Sequence, residues 1–128
     1  MSRAEFESGQ PAVQQLNRTQ CHALLNALAS TSVPLLRIDL SGVADKAATM
    51  NALRTALGLP DYFGGNLDAL SDCLTDPDYA PKGILLLEGL VDRPGLMRED
   101  LLDVFEEAVK ARAASPTPFR VFWTGTAD

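Results

Sequence analysis

Three aspartates, Asp68, Asp72 and Asp76, follow one another at intervals of four residues near the middle of the chain. On a helix this spacing stacks the three carboxylates on one face. Like charges four residues apart destabilise a helix by about 0.2–0.5 kcal/mol per pair, so a sequence chosen for stability alone would place Lys among them. Outward-facing carboxylates accept charge-assisted hydrogen bonds from Arg and Lys. The pattern therefore predicts a helix face that binds a basic surface.

The acidic residues of this 128-residue chain are concentrated around the same helix. Residues 55–81 contain five Asp and no Lys or Arg, and the whole chain has a net charge of −6. This window holds nearly all of the net charge, which would attract a basic protein and speed its association. A solvated acidic face is the alternative interpretation. Nucleic acid is disfavoured as a partner, because binding phosphate needs a basic surface and the pI is about 4.6.

Catalytic chemistry is less well supported by the sequence. Asp68 and Asp72 have the spacing of a magnesium-binding pair, but no further acidic motif or basic phosphate clamp accompanies them. Cys73 has no base nearby in the sequence, which favours a buried thiol over a nucleophile. A single histidine, His22, leaves little room for His-based catalysis or a His-rich metal site. We expect a protein that is not an enzyme and needs neither cofactor nor metal; a metal-dependent phosphate-processing enzyme is the least favoured hypothesis.

The composition is typical of a globular protein. Hydrophobic residues make up 46% of the chain, and no apolar run approaches the roughly 20 residues that span a bilayer. Acidic residues near the N-terminus argue against a signal peptide. Two cysteines, Cys21 and Cys73, are too few for a disulfide framework. We therefore expect a cytoplasmic protein that makes no membrane contact.

The helix that must carry the aspartates is predicted over residues 66–75. Asn66 is its expected N-cap, and Leu67, Leu70 and Leu74 have the spacing of a buried stripe. The two glycines before Asn66 predict a simple turn, since no strand precedes them as a phosphate-binding loop would require. The helix should therefore bury its leucines and expose its aspartates.

The remaining elements alternate between helix and strand. Residues 1–17 are predicted to form a loose arm. Three further helices are predicted, over residues 18–30 with Thr19 as a candidate N-cap, from an Asp45 cap to Gly58, and over residues 98–114. Three strands are predicted, over residues 35–40, 83–88 and 119–124, with Trp123 in the core. This order predicts an α/β fold with a three-stranded parallel sheet.

Residues 59–75, with the sequence LPDYFGGNLDALSDCLT, resemble the signature of the barstar family of intracellular ribonuclease inhibitors. The family pattern is Leu-Pro, an acid, two aromatics, Gly, any residue, Asn-Leu-Asp-Ala-Leu, and then Asp-Cys-Leu-Thr. A weaker resemblance extends from about residue 35 to residue 124. It implies a barstar-like domain over residues 31–128, with a three-stranded parallel sheet and packed helices, preceded by a partly helical N-terminal extension over residues 1–30.

The resemblance also implies a function, namely capping the basic active site of a ribonuclease with the acidic helix and loop of residues 60–76. The implied partner is a basic, barnase-like ribonuclease of the extracellular type. This chain would then act as an immunity protein that is a monomer when free. The residues that match family contacts are Tyr62, Asp68, Asp72, Thr75 and Glu107. From the residues alone, Tyr62 is equally well explained as a core aromatic, and Phe63 is better explained so.

Two positions depart from the family pattern inside the signature. Ser71 stands where the family prototype has a large aromatic, and Asp76 stands where it has Gly; we include both in the predicted partner-binding set. A serine removes contact area, whereas Asp76 adds charge. A non-inhibitory interaction module that binds another basic protein is therefore the alternative function.

Overall fold

The computed structural model describes residues 13–43, 45–60, 66–90 and 98–125. Within these ranges, strands and helices alternate as the sequence predicts, apart from two successive helices in the middle of the chain. The strands are β1 Val13–Gln15, β2 Leu35–Asp39, β3 Gly83–Glu88 and β4 Phe119–Trp123, and the helices are α1 Arg18–Ala29, α2 Lys46–Leu57, α3 Leu67–Thr75 and α4 Arg98–Arg112.

The four strands form one parallel sheet in the order β1-β4-β3-β2. The α/β class is therefore confirmed, but the prediction of three strands is wrong. The additional strand, β1, lies within residues 1–17, for which the sequence predicts a loose arm, and Val13 pairs with Val121 of β4. A strand of three residues carries almost no periodic signal of its own, so its pairing with β4 is what defines it.

The direction of the connections places helices on both faces of the sheet. From β2 to β3 to β4 the chain moves in one direction across the sheet, whereas from β1 to β2 it moves back past both central strands. Because crossovers between parallel strands are right-handed, this reversal sends α1 to the opposite face from α2, α3 and α4. We name the face covered by α1 the α1 face, and the face covered by α2, α3 and α4 the α3–α4 face.

Alternate residues of the central strands divide the core accordingly. On the α1 face, Ile84, Leu86 and Phe122 pack with Leu24 of α1. On the α3–α4 face, the larger cluster includes Leu85, Leu87 and Val121 with the buried positions of three helices. A strand that is apolar on both faces, as predicted for β3, is what a parallel sheet covered on both sides requires. Trp123 is buried, as predicted.

Local signals define most helix ends. The side chain of Asp45 accepts a hydrogen bond from the backbone N–H of Ala48, and Gly58 ends α2 in the left-handed conformation, with φ of 65°. Both ends were predicted. For α1, however, Thr19 is not the N-cap. The cap is Asn17, whose side-chain oxygen accepts a hydrogen bond from the backbone N–H of Gln20, while the side-chain oxygen of Gln20 accepts one from the backbone N–H of Asn17. This capping box satisfies two helix-end donors at once, which favours Asn17 over Thr19.

The β1 strand and the α1 helix lie within the predicted N-terminal extension of residues 1–30, yet they complete the sheet and cover one of its faces. The boundary between an extension and a domain over residues 31–128 stays a prediction. In the part of the chain that the structure describes, no helix is both long enough and apolar enough to span a membrane.

Candidate protein-binding site

The α3 helix is fixed by a cap at its start and a leucine stripe along its inner face. Asn66 accepts a hydrogen bond from the N–H of Ala69 at 2.8 Å, which satisfies one of the unpaired donors of the first turn. Leu70 and Leu74 are fully buried and belong to the same core cluster as Phe105 of α4. The predicted cap is confirmed, and so is the stripe at Leu70 and Leu74, whereas Leu67 is only half-buried against the same cluster. The opposite face of α3 is exposed and can meet a partner.

Asp68 and Asp72 are both exposed on that outer face, one helical turn apart. Asp68 lies in the first turn, where the helix dipole favours a negative charge, whereas Asp72 lies beyond its reach. Within the described part of the chain, neither carboxylate forms an ion pair or a side-chain hydrogen bond. Both remain available to cationic donors of another molecule.

Thr75 and Ser71 lie next to these aspartates and are half-buried. The hydroxyl of Thr75 donates back to its own helix, 3.0 Å from the carbonyl oxygen of Ser71 and 3.2 Å from that of Asp72. Its single proton is therefore used internally, and its oxygen can only accept from a partner. This arrangement matches a basic partner rather than an acidic one.

Asp76 does not continue the stack of carboxylates that the four-residue spacing predicts. The helix ends at Thr75, and Asp76 adopts an extended backbone with ψ of 125°. The cause is Pro77, because the residue before a proline is disfavoured in the helical conformation. The Asp76 carboxylate turns back and accepts from the N–H of Asp78 at 2.9 Å. The Asp-Pro pair is the sequence signal that indicates this ending.

Glu107 lies on the neighbouring helix, α4, and is exposed. The adjacent Glu106 forms an exposed ion pair with Lys110 at 3.4 Å, one turn further along the helix. Because α3 and α4 share the core cluster of Leu70 and Phe105, the two helices form one continuous layer. Asp68 and Asp72 of α3 and Glu107 of α4 are exposed residues of this layer.

The segment that precedes α3 falls outside the described residues. This segment, residues 61–65, includes Tyr62, Phe63 and the predicted Gly64–Gly65 turn. The predicted contact of Tyr62 with a partner and the predicted core position of Phe63 therefore stay predictions.

Cys73 points into the core beneath the acidic face and is 6% exposed. Burial raises the pKa of its thiol, and the carboxylates of Asp72 and Asp76 raise it further. A thiol held protonated in this way is a poor nucleophile. Among the described residues, no three His, Cys, Asp or Glu side chains converge into a group that could hold a metal ion.

One comparison with known proteins extends over most of the chain. The family model described as Barstar (barnase inhibitor) matches residues 33–124, which include all of the described elements from β2 to β4. No curated protein sequence gives a significant match. The matched segment contains the acidic α3 helix and the α4 helix that packs beside it. On this match, which agrees with the resemblance of residues 59–75, the chain belongs to the barstar (barnase inhibitor) family.

Proposed function

We propose that the protein inhibits a basic ribonuclease by covering its active site with the outer face of α3 and the adjoining surface of α4. The observation that carries the proposal is the pair Asp68 and Asp72, which are exposed and have no ion-pair partner within the described residues. The membership of the chain in the barstar family supports the same function.

The chemistry of the target explains why carboxylates suit this role. A ribonuclease that cleaves phosphodiesters presents Arg and Lys to the phosphate of its substrate. A carboxylate held at that position accepts charge-assisted hydrogen bonds from several of these donors. We assign this role to Asp72, because it lies in the middle of the exposed face and is held on a helix whose inner side is fully packed.

The other predicted contacts support Asp72 in different ways. Asp68 adds a second carboxylate one turn away, and Glu107 adds one from α4. Thr75 offers a hydroxyl oxygen as an acceptor. Asp76 adds negative charge at the end of the helix, which steers a basic partner even without touching it.

The proposal includes a cytoplasmic, monomeric inhibitor that meets a barnase-like ribonuclease of the extracellular type, as an immunity protein would. Both cysteines, Cys21 and Cys73, are free and buried. Free thiols are the state that a reducing compartment maintains. No cofactor is needed for this function, since it consists of binding alone.

The test is to titrate the protein into barnase-type ribonucleases while following RNA hydrolysis. We expect stoichiometric inhibition that Asp72→Asn weakens strongly, since this change removes a charge and keeps the side-chain shape. Asp39→Asn is the matched control. It removes the same charge at the end of β2, and the new amide oxygen can still accept the hydrogen bonds from Ser41. Unchanged hydrolysis at a large excess of the protein would reject inhibition of these enzymes.

Ser71 favours a second candidate, a non-inhibitory module that binds another basic protein. A half-buried serine offers less contact area than the aromatic of the family prototype. The titration separates the two functions, because a module would bind a basic partner through Asp72 without stopping RNA hydrolysis.

A further inference from the structure

An open cleft of about 470 Å³ lies on the α1 face, on the other side of the sheet from the acidic helix. It runs between the start of α1 and the carboxyl ends of the strands. The polar and ionisable residues that matter here are Asn17, Arg18, Cys21, His22, Arg37 and Glu88. None of them belongs to the proposed ribonuclease-binding surface.

The cleft lies where the topology of the sheet opens a crevice. The β4 strand is flanked by β1 and β3, and the chain leaves those two strands toward opposite faces, through α1 and α4 respectively. Thr124 and Gly125, which follow β4, line the cleft. In open α/β sheets, small ligands bind in the crevice beyond the carboxyl ends of the strands, at the point where the chain leaves two strands toward opposite faces.

The walls of the cleft are basic, although the protein as a whole carries a net charge of −6. Arg18 and Arg37 line it together with His22, and Glu88 is the one acidic residue among those that line it within the described part of the chain. Glu88 is already neutralised, because Arg37 donates to both of its oxygens, from Nε at 2.7 Å and from Nη2 at 2.9 Å. Among the described residues that line the cleft, no second acidic side chain is present to neutralise Arg18.

The Arg37–Glu88 pair also orients a donor group for a ligand. A guanidinium has five N–H donors in a fixed plane, and Glu88 uses two of them. The side chain of Arg37 is 51% exposed and lines the cleft, so a ligand there can reach it. A guanidinium fixed in this way suits planar, multiple hydrogen bonding to phosphate oxygens.

The remaining walls favour a small organic ligand over a catalytic reaction. Leu16, Leu25 and Cys21 supply apolar surface beside the charged groups. Burial raises the pKa of the Cys21 thiol, the carboxylate of Glu88 raises it further, and the guanidinium of Arg37 opposes this shift without reversing it. A protonated thiol adds no negative charge to the cleft. The first turn of α1 contains no acidic residue, so nothing there repels an anion.

We propose that this cleft binds a small organic molecule with a phosphate monoester group, of the size of a sugar phosphate or a mononucleotide. Arg18 and Arg37 hold the phosphate, and the apolar wall of Leu16 and Leu25 holds the organic part. The volume lies within the range of small-molecule sites, which starts at about 300 Å³. The cleft is separate from the proposed ribonuclease-binding surface, since it lies on the opposite face of the sheet.

The test is an amide NMR titration of the whole protein with ribose 5-phosphate, with ribose and inorganic phosphate as separate arms. We expect ribose 5-phosphate to shift the amide signals of residues 16–22 and of Thr124 and Gly125. Ribose should cause no shift, and inorganic phosphate should bind at least tenfold more weakly. Arg18→Gln should weaken the binding of ribose 5-phosphate at least fivefold, as should the double change Arg37→Gln with Glu88→Gln, which leaves no carboxylate unpaired.

Arg54→Gln is the matched control, because it removes the same charge from α2 on the other face, where the side chain of Arg54 donates to Oδ1 of Asn51. Arg18 is exposed, so its replacement keeps the test valid even where the double variant folds poorly. Three outcomes would overturn the proposal: no shift in these residues at millimolar ribose 5-phosphate, equal affinity for inorganic phosphate, or equal weakening by Arg54→Gln and Arg18→Gln.

Discussion

Asp76 lies one residue beyond the end of the acidic helix, and its carboxylate accepts a hydrogen bond from the backbone N–H of Asp78. This contact separates two aspartates that look equivalent in the sequence. Asp72 is exposed on the helix and its carboxylate forms no such bond within the described residues, whereas the carboxylate of Asp76 stabilises the turn that follows. Charge removal should therefore act differently at the two positions.

Replacing Asp76 by Ala should lower the free energy of unfolding by about 0.5–1.5 kcal/mol, the usual net contribution of one hydrogen bond. Asp76→Asn is its control, because the amide oxygen can still accept from Asp78. Thermal or urea unfolding of the isolated protein measures both changes. An equal loss of unfolding free energy in the two variants would show that the charge of Asp76, and not its hydrogen bond with Asp78, contributes to stability.

Replacing Asp72 by Ala should weaken binding to the partner without lowering the stability of the isolated protein. Binding to the ribonuclease should weaken by more than about 2 kcal/mol, because the cations of the partner are left buried and unpaired. The isolated protein should keep its stability or gain a few tenths of a kcal/mol, since the repulsion with Asp68 is relieved. Calorimetric titration and thermal unfolding provide the two values. An affinity equal to that of Asp39→Asn would remove Asp72 from the site.

The association rate should fall steeply as the salt concentration rises, while the dissociation rate changes little. The reason is that the five Asp of residues 55–81 attract a basic partner at long range, and salt screens this attraction. Stopped-flow mixing with the ribonuclease at several ionic strengths measures both rates. A constant association rate would identify the acidic stretch as a solvated face.

Ser71 is expected to influence which ribonuclease is bound. It is half-buried beside Asp72, so Ser71→Ala should cost less than about 1 kcal/mol of binding. Ser71→Trp should strengthen binding to barnase-like ribonucleases, because an aromatic adds apolar contact. It should weaken binding to the natural partner, or leave it unchanged, where that surface fits a small residue. Titrating both variants against both enzymes tests this, and equal strengthening would show that Ser71 carries no specificity.

The N-terminal elements are expected to contribute to the stability of the whole fold. Leu24 of α1 is 1% exposed in the core of the α1 face, so Leu24→Ala should lower the free energy of unfolding by about 2–5 kcal/mol. His22→Ala on the exposed side of α1 is the control and should change it little. Urea unfolding measures both. A loss at Leu24 as small as that of the control would show that α1 is an appendage.

Local sequence signals predicted most of the elements that position the site. The caps at Asn66 and Asp45 and the end at Gly58 each depend on contacts within a few residues, so the sequence contains the whole interaction. The apolar run of β3 and the leucine stripe of α3 likewise report burial directly. The resemblance of residues 59–75 then identified the family, and the match over residues 33–124 confirmed it.

Tertiary structure decided what depends on residues far apart in the chain. The β1 strand exists because Val13–Gln15 pairs with β4, more than a hundred residues later, and a three-residue pattern carries no comparable local signal. The cleft requires Arg37, in the middle of β2, to meet Glu88, which ends the neighbouring strand β3 and lies 51 residues later in the chain. The sequence by itself determined an acidic helix with one buried and one exposed face. Only the folded sheet, with its reversed first crossover, decided that a basic cleft lies on the side opposite to that helix.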